Sequence, residues 1–431
     1  MMVEKYERTA VQRIVQRVSR VKHMRLVAIT GPRQVGKTTI AHQVRQHLIQ
    51  SCIPCWYLPM DRLGSSRSDW ITLQNIDSDL QISPQPTEQT LVSIWERARK
   101  ASLMSEQGLV LFLDEIQTVP RWSNIVKGLW DADKVDGYPL RVVILGSAAW
   151  RMLIGRNESL AGRFDAVPVT HWSFDEMKQV FRLTLDEYIF FGGYPGPFSD
   201  QWHPGISLSE WKNYVASSIM TPIIDRDIMG HKRIDKPGLM SQIIDIAPSY
   251  SGQIISLNKL LGILQDKGNI TSIADYLNLL SDAGILATMY GYSSTPHKMK
   301  STPPKLNVLN TALMTYMCGY TLQEAKNDQS FWGRIVESAV GAHLYNSKEI
   351  STRICYWRDK NGDNEVDYVV ARGPHLLGIE VKSGEIRSLH GCFAFKERFP
   401  HAKTTVVGPN GIPLDVFLSG TADDWIDQLC T

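Results

Sequence analysis

Gly31-Pro32-Arg33-Gln34-Val35-Gly36-Lys37-Thr38, followed by Thr39, decides how this chain is read, because the octet fits G-x-x-x-x-G-K-[ST] in full. An apolar strand over Arg25 to Thr30 precedes it and a helix over Thr38 to Ile49 follows, which is the setting a phosphate loop requires. Glycines let the backbone wrap an anion, and the amides at the helix start stabilise its charge. Lys37 then reaches the terminal phosphates of a nucleotide, and Thr38 ligates a magnesium ion. The cofactors predicted are ATP and Mg2+.

Downstream, Leu109-Val110-Leu111-Phe112-Leu113-Asp114-Glu115 is an apolar strand that ends in two carboxylates. Asp114 is expected to hold magnesium through water, and Glu115 to orient and deprotonate the attacking water, so turnover is predicted and not binding alone. Strand Cys55 to Pro59 and helix Glu88 to Leu103 lie before it; helix Trp122 to Asp131 and strand Leu140 to Leu145 follow. Ser147, past the end of that last strand, is a candidate γ-phosphate sensor, with an ordinary helix cap as the competing reading. Strands alternating with helices predict a parallel sheet covered on both faces.

A chain of 431 residues is too long for one ordinary core and predicts two to four units. The composition, 43% hydrophobic and 21% charged, is that of a globular protein, and no stretch approaches the roughly 18 apolar residues of a membrane span. The opening MMVEKYERTAVQRIVQRV lacks the apolar core of a secretory signal, which predicts a cytoplasmic protein beginning near Met1. A net charge of +2 gives no general argument for nucleic acid. Locally, Met1 to Arg25 carries seven Lys or Arg against Glu4 and Glu7, on a helix with Val11, Ile14, Val15, Val18 and Val21 at helical spacing. A solvated face is the first reading of that patch and a DNA contact the second. Cys52 and Cys55 have C-x-x-C spacing without a second pair, so two buried thiols outrank a zinc or redox site.

Apolar strands stop after about Thr170, and Ser173 to roughly Arg233 reads as a helical lid interrupted by Gly192-Gly193-Tyr194-Pro195, a turn. Leu257, Leu260, Leu261 and Leu264 share one short helix; after a turn at Lys267-Gly268-Asn269, Ile273, Tyr276, Leu277 and Leu280 share a second. With the extended Ile285 to Tyr292 behind them, they resemble a winged helix-turn-helix, and Ser294 to Lys305 is its wing or a linker.

Phe331 to Tyr345 reads as an amphipathic helix carrying Glu337, followed by strands over Cys355 to Arg358, Glu365 to Val370 and His375 to Lys382. With Gly373-Pro374 as the hairpin turn, Asp367 falls opposite Glu380, and alternation puts Lys382 on the face of Glu380. This resembles the arrangement of nucleases that use two acids and a lysine. The resemblance implies that Asp367 and Glu380 would bind magnesium and Lys382 would assist attack on the phosphodiester, with Glu337 completing the set by its likeness to the helix glutamate of archaeal junction resolvases. A surface hairpin with alternating charges is the plainer reading.

The phosphate-loop segment, Leu113-Asp114-Glu115-Ile116-Gln117, Leu160-Ala161-Gly162-Arg163, Gly192 to Pro195, Glu365-Val366-Asp367 and Ile379-Glu380-Val381-Lys382 together resemble one group in order and spacing. It is the prokaryotic AAA-type ATPases that carry a C-terminal domain of unknown function 4143. Residues and resemblance predict an α/β chain of four parts. These are a P-loop AAA core with a parallel sheet and N-terminal basic helix (1–172), a helical lid (173–235), a winged helix (236–300), and a C-terminal α/β restriction-endonuclease-like domain (301–431). By the same likeness Arg163 is an arginine-finger candidate for a neighbouring subunit, with Arg156 its rival, and the active protein is then a homo-oligomer. Asn310 departs from the group, where an aspartate is commoner. The function implied is an ATPase that couples nucleotide state to DNA engagement by a magnesium-dependent nuclease-like domain. Its alternatives are an ATP-switched DNA-binding or regulatory protein with an inert nuclease fold, and an ATPase acting on a protein partner.

Overall fold

The computed structural model describes residues 6–20, 26–61, 86–147, 162–198, 207–228, 234–264, 268–295, 299, 302–384 and 388–430. The chain divides into two units, Met1–Val169 and Thr170–Thr431.

The first unit runs α1 (Thr9–Val18), β1 (Leu26–Gly31), α2 (Lys37–Gln50), β2 (Cys55–Pro59), α3 (Glu88–Ser102), β3 (Leu109–Asp114), α4 (Trp122–Asp136), β4 (Leu140–Ser147) and β5 (Phe164–Pro168). All five strands are parallel, in the order β2-β3-β4-β1-β5. Every residue of β1 and β3 is buried, which is why these strands read as unbroken apolar runs: helices cover both faces. Strand β4 lies between β1 and β3, so the phosphate loop and the two acids leave the sheet on either side of one strand end.

Three expectations change in this unit. Strand β5 was not anticipated, because Phe-Asp-Ala-Val-Pro is a half-exposed edge segment that becomes a strand only through its pairing with β1. The solvated basic face is kept only in part: Arg13 and Arg20 are exposed, but Arg8, just before α1, is buried and donates to the Val35 carbonyl at 3.2 Å, and Arg17 pairs with Asp165 at 2.6 Å. Residues 1–5 and 21–25 of the same patch lie outside the described residues. Cys55 is buried but Cys52 is exposed at a turn with φ 56, so the C-x-x-C pair is not two buried thiols.

The second unit opens with α5 (Phe174–Phe181), α6 (Leu185–Phe191) and α7 (Leu208–Tyr214). Each starts at a reciprocal cap, Ser173 with Glu176, Thr184 with Glu187 and Ser207 with Glu210, so their start points are set by local side-chain chemistry. Next come α8 (Pro237–Ile246), β6 (Gln253–Ile254), α9 (Leu257–Ile263), α10 (Ile270–Asp282), β7 (Leu286–Met289) and β8 (Lys305–Val308). The three strands form an antiparallel sheet in the order β6-β8-β7. Its central strand lies past residue 300, so the boundary expected there would cut the sheet, and β8 belongs with the helices before it.

The chain ends with α11 (Gln329–Ser347), β9 (Arg353–Arg358), β10 (Glu365–Arg372), β11 (His375–Val381), α12 (His390–Arg398), β12 (Lys403–Val407) and α13 (Ala422–Cys430). Strand order is β12-β11-β10-β9; β10 is antiparallel to both neighbours, and β12, reached through α12, is parallel to β11. The β10–β11 hairpin pairs Tyr368 with Ile379 and Arg372 with His375, the register expected from a turn at Gly373-Pro374. The two sheets of this unit touch where the Tyr292 amide donates to the Tyr356 carbonyl at 2.6 Å.

Gly192 and Gly193 do more than turn the chain. Gly192 has φ 74 and ψ −169, a conformation open essentially to glycine alone, and a Cβ there would lie 2.0 Å from Asn310 Oδ1. The Asn310 carboxamide accepts from the Gly193 and Ala312 amides at 3.1 and 3.2 Å, and its nitrogen lies 3.2 Å from His171 Nδ1. Gly-Gly-Tyr-Pro is therefore a docking point for the segment that follows β8.

Candidate functional site

The phosphate loop leaves β1 at Gly31, where a Cβ would meet the Val169 carbonyl oxygen at 2.0 Å, so only glycine lets the two backbones pass. Pro32, Arg33, Gln34 and Val35 carry the loop to Gly36; Gln34 (φ 62) and Gly36 (φ 91) take the left-handed turns that bring the amides round to the start of α2. The Lys37 ammonium is buried and donates to the Gly31 and Pro32 carbonyls at 3.0 and 2.7 Å, closing the loop on itself. Thr38 and Thr39 open α2, with Thr38 exposed and its hydroxyl donating to Asp114 Oδ2 at 2.9 Å. The hydroxyl and carboxylate expected to share a magnesium ion thus already face each other.

Sequence reasoning missed Tyr57. Buried on β2, it donates its phenol to the same Asp114 oxygen and packs against His42 with ring centroids 4.4 Å apart and the planes tilted by 39°. It lies within the strand read over Cys55 to Pro59, and nothing local distinguishes a tyrosine that packs from one that holds a carboxylate. Glu115 follows in a left-handed conformation (φ 51), and Gln117 donates to its carboxylate. Burial pushes the Glu115 carboxyl above the ordinary carboxylate range, with Asp114 adding to the push and Lys37 and Arg33 opposing it. A raised carboxyl beside a phosphate loop suits a proton acceptor.

Ser147, at the end of β4, is the backbone partner of Gly31 across the sheet, and so stands between the loop and the acids. Arg163 lies elsewhere. It directly precedes β5, whose first residue pairs with Leu26 at the start of β1, so it is at the opposite end of the sheet from Lys37. Its guanidinium is held in a two-pronged pair by Asp131 at 2.9 and 3.0 Å. Arg156 lies outside the described residues.

A second cluster forms in the other unit, and it contains a residue the sequence reading did not include. Lys305, at the start of β8, is fully buried, with its ammonium 2.6 Å from Glu337, 3.6 Å from Glu365 and 4.0 Å from Asp367. It also donates to the Asp367 carbonyl at 3.1 Å and lies 4.8 Å from the centre of the Tyr368 ring. Burial alone would lower its pKa, but Glu337 and the other acids more than offset this and hold it charged. Asp367 Oδ2 accepts from the Val381 amide at 2.8 Å, and Lys382 donates to Glu380 Oε1 at 2.5 Å. The other Glu380 oxygen, Oε2, is buried with no hydrogen-bond partner among the described residues. Burial pushes both Glu337 and Glu380 up to about 7, and Asp367 contributes to each shift.

The fold therefore brings Glu337, Asp367, Glu380 and Lys382 together, but around a lysine. Among the described residues no three His, Cys, Asp or Glu side chains are grouped to hold a metal ion. Lys305 read as the last residue of a linker, with nothing in its neighbourhood to mark it.

Residues 23–178 match the family model of an AAA domain, residues 182–324 that of a domain of unknown function, DUF8612, and residues 332–414 that of another, DUF4143. Two uncharacterised proteins, from Mycobacterium bovis and Mycobacterium tuberculosis, are each 23% identical over 428 residues, covering 94% of this chain and 83% of theirs. Among solved structures, the RuvB Holliday junction branch migration motor of Thermotoga maritima is 15% identical, with a TM-score of 0.30 over 65% of this chain and 88% of its own. AMPPCP-bound DnaA of Aquifex aeolicus is 14% identical, with a TM-score of 0.28 over 63% of this chain and 76% of its own. No helix among the described residues is long and apolar enough to cross a membrane. By its phosphate loop, its five-stranded parallel sheet and its matched segments, the chain is similar to an AAA-type P-loop ATPase that carries a DUF4143 domain at its C-terminal end.

Proposed function

We propose that this chain hydrolyses ATP at its phosphate loop and uses the nucleotide state to govern DNA engagement by its second unit. The observation that carries the first half is the convergence of Lys37, Thr38, Asp114 and Glu115 at one end of the parallel sheet. Lys37 exchanges the Gly31 and Pro32 carbonyls for the phosphate oxygens of ATP, and the loop amides bind the rest. Thr38 and Asp114 fit a magnesium ion, which when bound supplies positive charge to the phosphates. Glu115 takes the proton of the attacking water, and Ser147 reports on the γ-phosphate. Arg163, remote from its own loop, acts on the nucleotide of a neighbouring copy after leaving Asp131, so hydrolysis requires a homo-oligomer.

The DNA half rests on element order. The succession α8-β6-α9-α10-β7-β8 with a β6-β8-β7 sheet supports reading this part as a winged helix, and helix, three antiparallel strands, helix and parallel strand from α11 to β12 support reading the last part as restriction-endonuclease-like. As they stand, Asp367, Glu380 and Glu337 do not fit a resident magnesium ion, since Lys305 already pairs with Glu337 and Asp367, and Lys382 with Glu380. A DNA-engaging module that does not cut is therefore the reading favoured here. Cleavage is the second reading, and Glu380 Oε2, which has no hydrogen-bond partner among the described residues, favours it. ATP turnover measured with and without linear, single-stranded and branched DNA tests the proposal. Stimulation by DNA supports it, and turnover indifferent to DNA points instead to a protein partner. Cleavage of any of these DNAs, lost in Lys382→Ala, would establish the second reading.

A further inference from the structure

Four carboxylates, Glu337 on α11, Glu365 and Asp367 on β10 and Glu380 on β11, converge in a partly buried cluster whose side chains keep between 12 and 34% of their exposure. Carboxylates gathered in this way need a cation, because unpaired buried charge is among the most destabilising features a fold can hold. Nuclease-like sites meet that need with a divalent ion. Here the ammonium of Lys305 lies within 4.0 Å of Glu337, Glu365 and Asp367, is fully buried, and directs a further donor to the Asp367 carbonyl. It arrives from the central strand of the neighbouring sheet. Asn307, two residues further along that strand, fixes its approach by accepting from the Tyr368 phenol at 2.8 Å and donating to the Ser338 carbonyl at 3.0 Å.

We propose that Lys305 is the resident cation of this cluster and excludes divalent metal from it. An ion bound to Asp367 or Glu337 would stand a few ångströms from the fully buried Lys305 ammonium, and the repulsion would cancel much of what the carboxylates offer. The inference stands on the geometry of the cluster, and it holds or fails whether or not the chain engages DNA or hydrolyses ATP.

Calorimetric titration of the full chain with Mn2+, without nucleotide, tests it in wild type and in Lys305→Met, which keeps the packing against Tyr368 and removes the charge. Any weak uptake at Thr38 and Asp114 is common to both proteins and cancels. The wild-type cluster is expected to take up no Mn2+ below about 1 mM, and Lys305→Met to bind one ion about 100-fold more tightly and to melt at a higher temperature with Mn2+ present. Tight binding by wild type that is lost in Glu337→Gln, with Lys305→Met binding no better, would overturn the proposal by placing the metal beside the lysine. Should Lys305→Met fold only when Mn2+ is added, the proposal is supported. Should it fail to fold at all, Lys305→Met/Glu337→Gln, which removes one charge of each sign, takes its place; a gain over wild type of about tenfold supports the proposal and no gain overturns it.

Discussion

Replacing Gly192 with alanine tests whether Gly-Gly-Tyr-Pro is a docking point. The backbone at φ 74 and ψ −169 would be strained by about 1–3 kcal/mol for any residue with a Cβ. The new methyl would also lie 2.0 Å from Asn310 Oδ1 and 2.7 Å from the Ala312 nitrogen, both hemmed in by buried neighbours, which adds roughly 1–3 kcal/mol of overpacking. Asn310 can yield only by abandoning the Gly193 and Ala312 amides, and each buried N–H left unpaired costs about 1–3 kcal/mol. A loss of about 4 kcal/mol or more follows, a large part of the roughly 5–15 kcal/mol that holds a domain together. Thermal unfolding followed by circular dichroism should show the transition of the second unit falling by about 8 °C or more while that of the first unit stays in place. Gly128→Ala, in α4 where a Cβ meets nothing within 4 Å, is the control and should stabilise by about 0.5–1 kcal/mol. A fall of less than about 2 °C in Gly192→Ala would mean that the segment after β8 does not rest on these glycines.

Three further outcomes are expected. Glu115→Gln should slow ATP hydrolysis about a hundred- to ten-thousand-fold with ATP binding retained in a filter assay, and turnover at the wild-type rate would remove Glu115 as the base. Tyr57→Phe takes a hydrogen bond from Asp114, so the magnesium concentration needed for half-maximal hydrolysis should rise about three- to tenfold, and an unchanged magnesium titration would confine Tyr57 to packing. Glu337 and Glu380 are pushed up to about 7, above the ordinary glutamate value near 4.3, so between those values the folded chain binds more protons than the unfolded one. Stability of the second unit should therefore grow by roughly 1–3 kcal/mol as pH falls from 8 to 5 and be lost as pH rises through 7. Melting curves across that range check this, and a profile as steep in Glu380→Gln as in wild type would assign the dependence to other groups.

The parts of this molecule legible in its sequence are those that short-range rules determine. A glycine-rich loop between strand and helix, a strand ending in two acids, and a hairpin whose turn fixes its register each depend on a few consecutive residues, and counting from Gly373-Pro374 gives the observed ladder up to Tyr368 and Ile379, the residues next to Asp367 and Glu380. What escaped depends on partners far along the chain. Strand β5 exists because β1 lies beside it. Lys305 meets the Asp367 carbonyl across 62 positions and was hidden in a segment rich in proline and lysine that reads as a connector. Tyr57 meets Asp114 across 57 positions. Asn310 stood out only as a departure from the expected aspartate; its carboxamide turns out to serve the Gly193 and Ala312 amides while its nitrogen faces His171.

Strand β8 also bears on how such a chain can change over generations. Lys305 lies in the segment matched by DUF8612, whereas Glu337, Glu365, Asp367 and Glu380 lie in the segment matched by DUF4143. A recombination event that delivered the second segment to a new host gene without the first would deliver the acids and Lys382, and leave behind the lysine that Glu337, Glu365 and Asp367 share. The two segments are therefore expected to be inherited together, and a lineage that loses the charge at position 305 is expected to lose one at 337, 365 or 367 with it, or to acquire a metal in its place.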